Sequence, residues 1–259
     1  MLITGMRLSF ATEPAPGHVN EDYAVCGNGW AVVLDGATAP PDVNSGCIHD
    51  VPWLVRHLAA AVARHLVLNP GPLPDLLSES IKETCAAHAS TCDLENPDSP
   101  SSTISVVRLR EGICEYLALA DSPIVIRGTD GILTPVIDDR TAHLPGGRPY
   151  TADLVRSCRN RPGGFWVAST DPDAASHALT GTMPAEAVQD IGLFSDGASR
   201  LAELYGYSWN QVFSVLDADG PARVITLVRT AERKTPPAHG KQHDDATAIY
   251  WHAPSRSSG

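Results

Sequence analysis

No apolar run in this chain reaches the roughly 20 residues that a membrane-spanning helix requires, so a helical membrane protein is not expected. The opening residues, Met1-Leu2-Ile3-Thr4-Gly5, lack a basic segment followed by an apolar one, so no secretion signal is expected and the expected compartment is the cytoplasm. Basic residues are in deficit, 19 Lys and Arg against 30 Asp and Glu, for a net charge of −11. Nucleic acids and anionic membrane surfaces both call for a positive face, so neither is an expected partner. The six cysteines include no C-x-x-C pair, which argues against zinc ribbons and redox dithiols and for free thiols in a reducing compartment. Glycine-rich phosphate loops are missing as well: neither G-x-x-x-x-G-K-[ST] nor a strand-to-helix G-x-G-x-x-G occurs.

What the chain has is apolar content and periodicity. At 43% hydrophobic and 19% charged, its 259 residues suffice for a substantial core and do not read as disordered. Alternating or short apolar runs predict strands over 6–12, 23–26, 30–35, 103–109, 114–120, 123–127 and 132–136. Gly27-Asn28-Gly29 marks a hairpin between the second and third. Helical periodicity predicts helices over 52–68 and 74–91, each with a proline in its first turn. Further strands are expected near 165–169, 188–195 and 246–252, and helices near 151–158, 172–179, 198–205, 208–217 and 221–232. Asp171 reads as the cap of the helix beginning at Pro172. Runs of strands followed by runs of helices favour an α+β layered fold over a Rossmann-like one. A single domain over 1–254 is expected, with an irregular, flap-like segment at 138–187 and a flexible tail at 255–259.

Carboxylates recur where strands end. Asn20-Glu21-Asp22, Leu34-Asp35-Gly36, Ala120-Asp121-Ser122, Ser195-Asp196-Gly197 and His243-Asp244-Asp245-Ala246-Thr247 each adjoin a short apolar run. Oxygen ligands converging from rigid elements are what Mg²⁺ and Mn²⁺ need. Two such ions about 3.5–4 Å apart generate a hydroxide near neutral pH and clamp a phosphoryl group. One Asp-Gly pair is a common turn; several in this order are a candidate hydrolytic metal centre.

In that order, with Ser101-Ser102-Thr103 opening a strand between them, the motifs resemble those of the metal-dependent protein phosphatases of type 2C. The resemblance spans about residues 6 to 252. It implies a four-layer α/β/β/α sandwich, two antiparallel sheets flanked by helix pairs, with two or three Mn²⁺ or Mg²⁺ ions at one end. It further implies that Asp35 bridges the ions, with Asp196 and Asp244 on one and Glu21 and the Gly36 carbonyl on the other. Asp22 would orient water held by the ions, Asp121 would join Asp196 at a third ion, and a metal-bridging hydroxide would attack phosphorus. The expected activity is that of a protein serine/threonine phosphatase. A small phosphorylated metabolite as substrate and a weakly active phosphoprotein-binding module are the alternatives.

Three departures concern phosphate handling rather than metal binding. Gly17 stands where the family commonly has a phosphate-binding Arg, four residues before Glu21. Ala37 stands where a His often follows Asp-Gly, and Arg200 where many members have a further Asp. Arg200 is therefore the candidate replacement for the lost guanidinium, with His18 beside the vacated position. The arginines of the flap-like segment, Arg140, Arg148, Arg156, Arg159 and Arg161, read as a solvated basic surface, with a flap gripping an anionic substrate as the alternative.

Overall fold

The computed structural model describes residues 7–37, 43–147, 149–238 and 240–252. Turn chemistry sets the first pairing. Gly29 takes φ +84° and closes the hairpin between β2 (Asp22–Gly27) and β3 (Trp30–Ala37), in the register Asp22↔Asp35. β3 pairs antiparallel with β4 (Ser101–Arg110), β4 with β5 (Ile113–Leu119), and β5 with β8 (Leu179–Pro184), giving a sheet of order β2-β3-β4-β5-β8. The second sheet has the order β1-β10-β9-β6-β7, from β1 (Arg7–Glu13), β10 (Ala246–His252), β9 (Val188–Phe194), β6 (Ile124–Gly128) and β7 (Leu133–Val136), again all antiparallel.

The two sheets face each other across a core that includes Ala31, Val33, Val107, Ala118, Ile124, Ile191, Leu193 and Ile249. On the far side of the first sheet, Val32, Leu34, Ile104, Val106 and Leu117 pack against α1 (Val51–Leu68) and α2 (Leu73–His88). On the far side of the second, Phe194, Ala246, Ala248 and Tyr250 pack against α4 (Asp196–Glu203), α5 (Trp209–Asp219) and α6 (Pro221–Lys234). β3 is covered on both faces, which is why Trp30 to Leu34 reads as a continuous apolar run rather than as alternation, while β4, equally buried, keeps buried hydroxyls at Ser101, Ser102, Thr103 and Ser105. Each fully buried Leu, Ile or Phe in these layers contributes about 1.5–3 kcal/mol of hydrophobic stabilisation before ordering costs are subtracted. The four-layer α/β/β/α order is the one expected.

Two local expectations fail. Residues 165–169 form no named strand and make only isolated bridges, Ser102↔Ala168 and Arg159↔Phe165. The segment is boxed in by Gly164 and Pro172, and its aromatic residues serve as packing: Phe165 and Val167 join Leu144 in a small cluster, while Trp166 stacks on His177 at 3.5 Å. Conversely, β8 was not expected. It is a mostly exposed edge strand with no apolar alternation to reveal it, and it ends at Pro184, as edge strands tolerate. The segment predicted as a helix over 172–179 is a short 3-10 helix, Pro172–His177, capped by Asp171 through the Asp173 N–H at 3.0 Å. Ahead of these segments, α3 (Ala152–Cys158) forms as expected. Residues 255–259 lie outside the described ones. No helix among the described residues is long and apolar enough to cross a membrane.

Candidate metal centre

Antiparallel register brings one end of every relevant strand together. The start of β2, the end of β3, the turn after β5, the end of β9 and the start of β10 share one end of the sandwich. Glu21, Asp22, Asp35, Asp121, Asp196, Asp244 and Asp245 lie there.

Asp35 lies near the end of β3 opposite Asp22 and receives the backbone N–H of Asp196 on Oδ2 at 3.1 Å, so it sits at the first turn of α4. Amides at a helix start favour negative charge. Even so, the Asp35 carboxyl is held well above the usual range, first by burial and then by the charges of Asp196, Asp22, Asp244 and Asp121. Asp196 is pushed up to about 7 by burial and by Asp244 and Asp121, with Arg200 pulling the other way. Asp22, also pushed up to about 7, is raised mainly by burial, with Asp245 and Asp244 adding to it while the nearby Ser195 and Thr247 hydroxyls oppose it. Neither Asp22 oxygen has a partner at hydrogen-bonding geometry. A buried carboxylate without a donor, among others that repel it, is costly unless cations enter the cluster. The donor set, all oxygen, fits Mg²⁺ or Mn²⁺. Among the described residues the carboxylates do not form a trio whose ligand atoms all lie within 4.8 Å of one another.

The motif glycines are explained by close approach. A Cβ on Gly36 would lie 2.2 Å from Val51 Cγ1 and 2.6 Å from the Glu21 carbonyl oxygen, and the Gly36 N–H donates to that oxygen at 3.2 Å. A Cβ on Gly197 would meet the Asp245 carbonyl oxygen at 1.9 Å. Both glycines let two acidic segments touch.

Asp121 accepts the Thr141 hydroxyl at 2.8 Å. The residue before it, Ala120, takes φ +64°, a region that disfavours a side chain, and its N–H donates to buried Asp138 at 2.9 Å. Asp138 is in turn bound by Arg140 at 2.7 and 2.5 Å. Arg140 is thus a structural partner, as are Arg156, paired with Asp98 at 2.9 Å, and Arg159, which donates to the carbonyls of Pro97 and Ser99. Arg148 lies outside the described residues.

Arg200, the candidate phosphate receptor, is engaged by protein partners. It is buried, donating to Glu232 at 2.8 Å, to Asp244 at 3.0 Å and to the Lys241 carbonyl at 3.3 Å. Glu232, fully buried in α6, also binds Arg229 at 3.1 Å and His243 at 2.7 Å. Arg200 therefore fixes Asp244 to α6. His18 is exposed on the loop before β2, next to Gly17 at φ +82°.

Two contributors had no role in the sequence reading. Asp245, buried, accepts the N–H of Ala15 at 2.7 Å and of Glu21 at 2.6 Å. Lys241 reaches Asp244 Oδ1 at 2.8 Å with a side chain still 59% exposed. Burial alone would lower its ammonium, but Asp244, Asp35 and Asp196 outweigh that and raise it to about 12. The acidic doublet Asp244-Asp245 and a lysine three residues ahead were the available signals.

A four-layer sandwich with clustered carboxylates at one end defines a class, and the sequence agrees with it. The profile of the protein phosphatase 2C family matches residues 15–229, and the chain belongs to that family of metal-dependent phosphoprotein phosphatases. Among solved structures, the serine/threonine phosphatase PstP/Ppp of Mycobacterium tuberculosis is 19% identical with a TM-score of 0.63, covering 95% of this chain and 98% of that one. The catalytic domain of PstP in complex with two manganese ions is 18% identical with a TM-score of 0.60, covering 95% and 97%. Stp1 of Staphylococcus aureus is 14% identical with a TM-score of 0.63, covering 96% and 95%. At these identities the likeness shows a shared fold. A comparison with curated protein sequences returned no match.

Proposed function

We propose that this chain hydrolyses phosphoserine or phosphothreonine esters in proteins, using a binuclear Mn²⁺ or Mg²⁺ centre. The observation that carries this reading is the convergence of Asp22, Asp35, Asp121, Asp196 and Asp244, in which burial and neighbouring carboxylates raise Asp22, Asp35 and Asp196 above their ordinary values. Glu21, Asp35, the Gly36 carbonyl, Asp196 and Asp244 would hold two ions, and Asp121 with Asp196 a third. When bound, the ions neutralise the phosphoryl oxygens and lower the pKa of attacking water.

The protein groups have separable tasks. Asp22, whose oxygens meet no protein donor at hydrogen-bonding geometry although the Ser195 and Thr247 hydroxyls are near, accepts a proton of the attacking water and orients its lone pair toward phosphorus. Water oxygen bonds to phosphorus, the bond to the seryl or threonyl oxygen breaks, and that oxygen takes up a proton from solvent. The Arg200–Asp244 pair fixes one carboxylate so that it need not reorganise. We assign phosphate attraction to Lys241 in place of Arg200, because Lys241 is exposed beside the cluster while Arg200 is enclosed. The test is cleavage of p-nitrophenyl phosphate and of phosphopeptides with added Mn²⁺, in wild type, Asp35→Asn and Asp196→Asn. Loss in both variants is expected. Activity that persists without divalent ions, or in either variant, defeats the proposal.

A further inference from the structure

Away from the carboxylates, three side chains from separate segments converge on one point. Cys47 lies on the connection from β3 to α1, His88 is the last residue of α2, and Cys92 follows that helix. Their ligand atoms all lie within 4.8 Å of one another. The two sulfurs are 2.9 Å apart, and Cys47 Sγ is 3.5 Å from His88 Nδ1. We propose that Cys47, His88 and Cys92 form a tetrahedral site for Zn²⁺, separate from the catalytic ions.

Zn–S bonds of about 2.3 Å and Zn–N bonds of about 2.0–2.1 Å at a tetrahedral angle place sulfur and nitrogen about 3.6 Å apart. The Cys47–His88 separation already has that value. Sulfurs on one zinc are about 3.8 Å apart by the same geometry, so the pair opens by roughly 0.9 Å to admit the ion. Buried His88, which also packs on Trp53 at 5.0 Å, directs Nδ1 at Cys47, a contact that a disulfide between the sulfurs would not use. Burial and the adjacent Cys92 push the Cys47 thiol up to about 11, against the backbone amide of His49, while Cys92, against burial, is lowered by Cys47 and the amides of Ile48 and His49; a bound ion would displace both thiol protons. His49, whose ring stacks on Trp53 at 4.1 Å, is not among the converging groups, which leaves the fourth position to water. Binding releases both thiol protons to solvent and changes no oxidation state.

The surroundings give the site a task. Residues 43–50 and 91–98 contain no fully buried side chain, and polar contacts such as Asp93 N–H to the Gly46 carbonyl at 2.8 Å hold them together. A structural ion would clip the segment that leaves Asp35 and Gly36 to the segment that enters β4, where the Ser102 hydroxyl donates to the Asp35 carbonyl at 3.0 Å. The other trio of this kind, Asp190, Asp217 and His252, is already neutralised: Arg127 binds Asp217 at 2.8 and 2.9 Å and also pairs with Asp190.

The test uses the full chain, stripped with chelator, reduced, and held in excess Mg²⁺ so that the carboxylates are occupied by an ion that thiolates do not bind. Expected results are one tightly held equivalent of Zn²⁺ and, with Co²⁺, a thiolate-to-metal charge-transfer band with intense tetrahedral d–d bands. Both persist in Asp35→Asn. Cys92→Ser and His88→Gln weaken Zn²⁺ binding by about a hundredfold or more, beyond the loss typical of a ligand's supporting residue. A wild-type Co²⁺ spectrum without the charge-transfer band overturns the proposal, even if the variants do not fold. Zn²⁺ affinity unchanged in Cys92→Ser overturns it as well, as does a Cys47–Cys92 disulfide whose reduction yields no metal-binding site.

Discussion

Asp245 accepts the backbone N–H of Glu21 at 2.6 Å, joining two acidic motifs that lie 224 residues apart in sequence. The same carboxylate takes the Ala15 N–H at 2.7 Å. The loop carrying Glu21 is therefore fixed from β10, in the other sheet.

Asp245→Ala should leave two backbone donors unsatisfied and destabilise the fold by about 2–4 kcal/mol, the scale of lost hydrogen bonds to a charged group. Urea denaturation would read this, and Mn²⁺ titration of the folded variant should show weaker binding because Glu21 is no longer held. Full stability would show that the Asp245 contacts are dispensable.

Removing divalent ions should make stability fall as pH rises. Asp22 and Asp196 keep their protons in the folded chain up to about 7, against an ordinary value of 3.8. Between those values the folded state binds more protons than the unfolded one, so stability is greatest at the acid end and is lost toward neutrality, by about a few kcal/mol. Melting in chelator across that range should show Tm decreasing with pH. Saturating Mn²⁺ should abolish the decrease, since the ions replace the protons. A chelator profile that rises over the same interval contradicts the carboxylate cluster as described.

Arg200→Ala removes one of the two arginines that pair with buried Glu232 and should cost about 2–4 kcal/mol in denaturant unfolding. KM for p-nitrophenyl phosphate at saturating Mn²⁺ should change by less than about twofold. A tenfold rise in KM would return Arg200 to the phosphate-binding role that its place in the sequence suggested.

Lys241→Ala should raise KM by roughly tenfold or more, the equivalent of a charged hydrogen bond of about 1.5–3 kcal/mol, while Lys241→Arg retains most of the effect. Steady-state kinetics decide this, and an unchanged KM removes Lys241 from phosphate recognition.

The legible part of the site was the part written in local chemistry. Asp35-Gly36 and Ser195-Asp196-Gly197 stand out because a strand ends there and a residue without Cβ must follow, and the packing of Gly36 on Val51 and of Gly197 on Asp245 gives the reason. Arg200 was identifiable as a charge near the cluster, but not as a partner of Glu232, which lies 32 residues further on in another helix. Asp138 gave no signal, because its task is to hold the Ala120 amide after a chain reversal.

Periodicity and turn residues by themselves determined most strands and helices, the layered α+β class and the acidic motifs, since these depend on neighbours a few positions apart. Only the tertiary structure decided which strand ends meet, that Asp22 has no donor at hydrogen-bonding geometry, that Arg200 is enclosed while Lys241 stays exposed, and that Cys47 approaches Cys92. Those facts depend on antiparallel register and on burial from remote segments, and no local spacing encodes either.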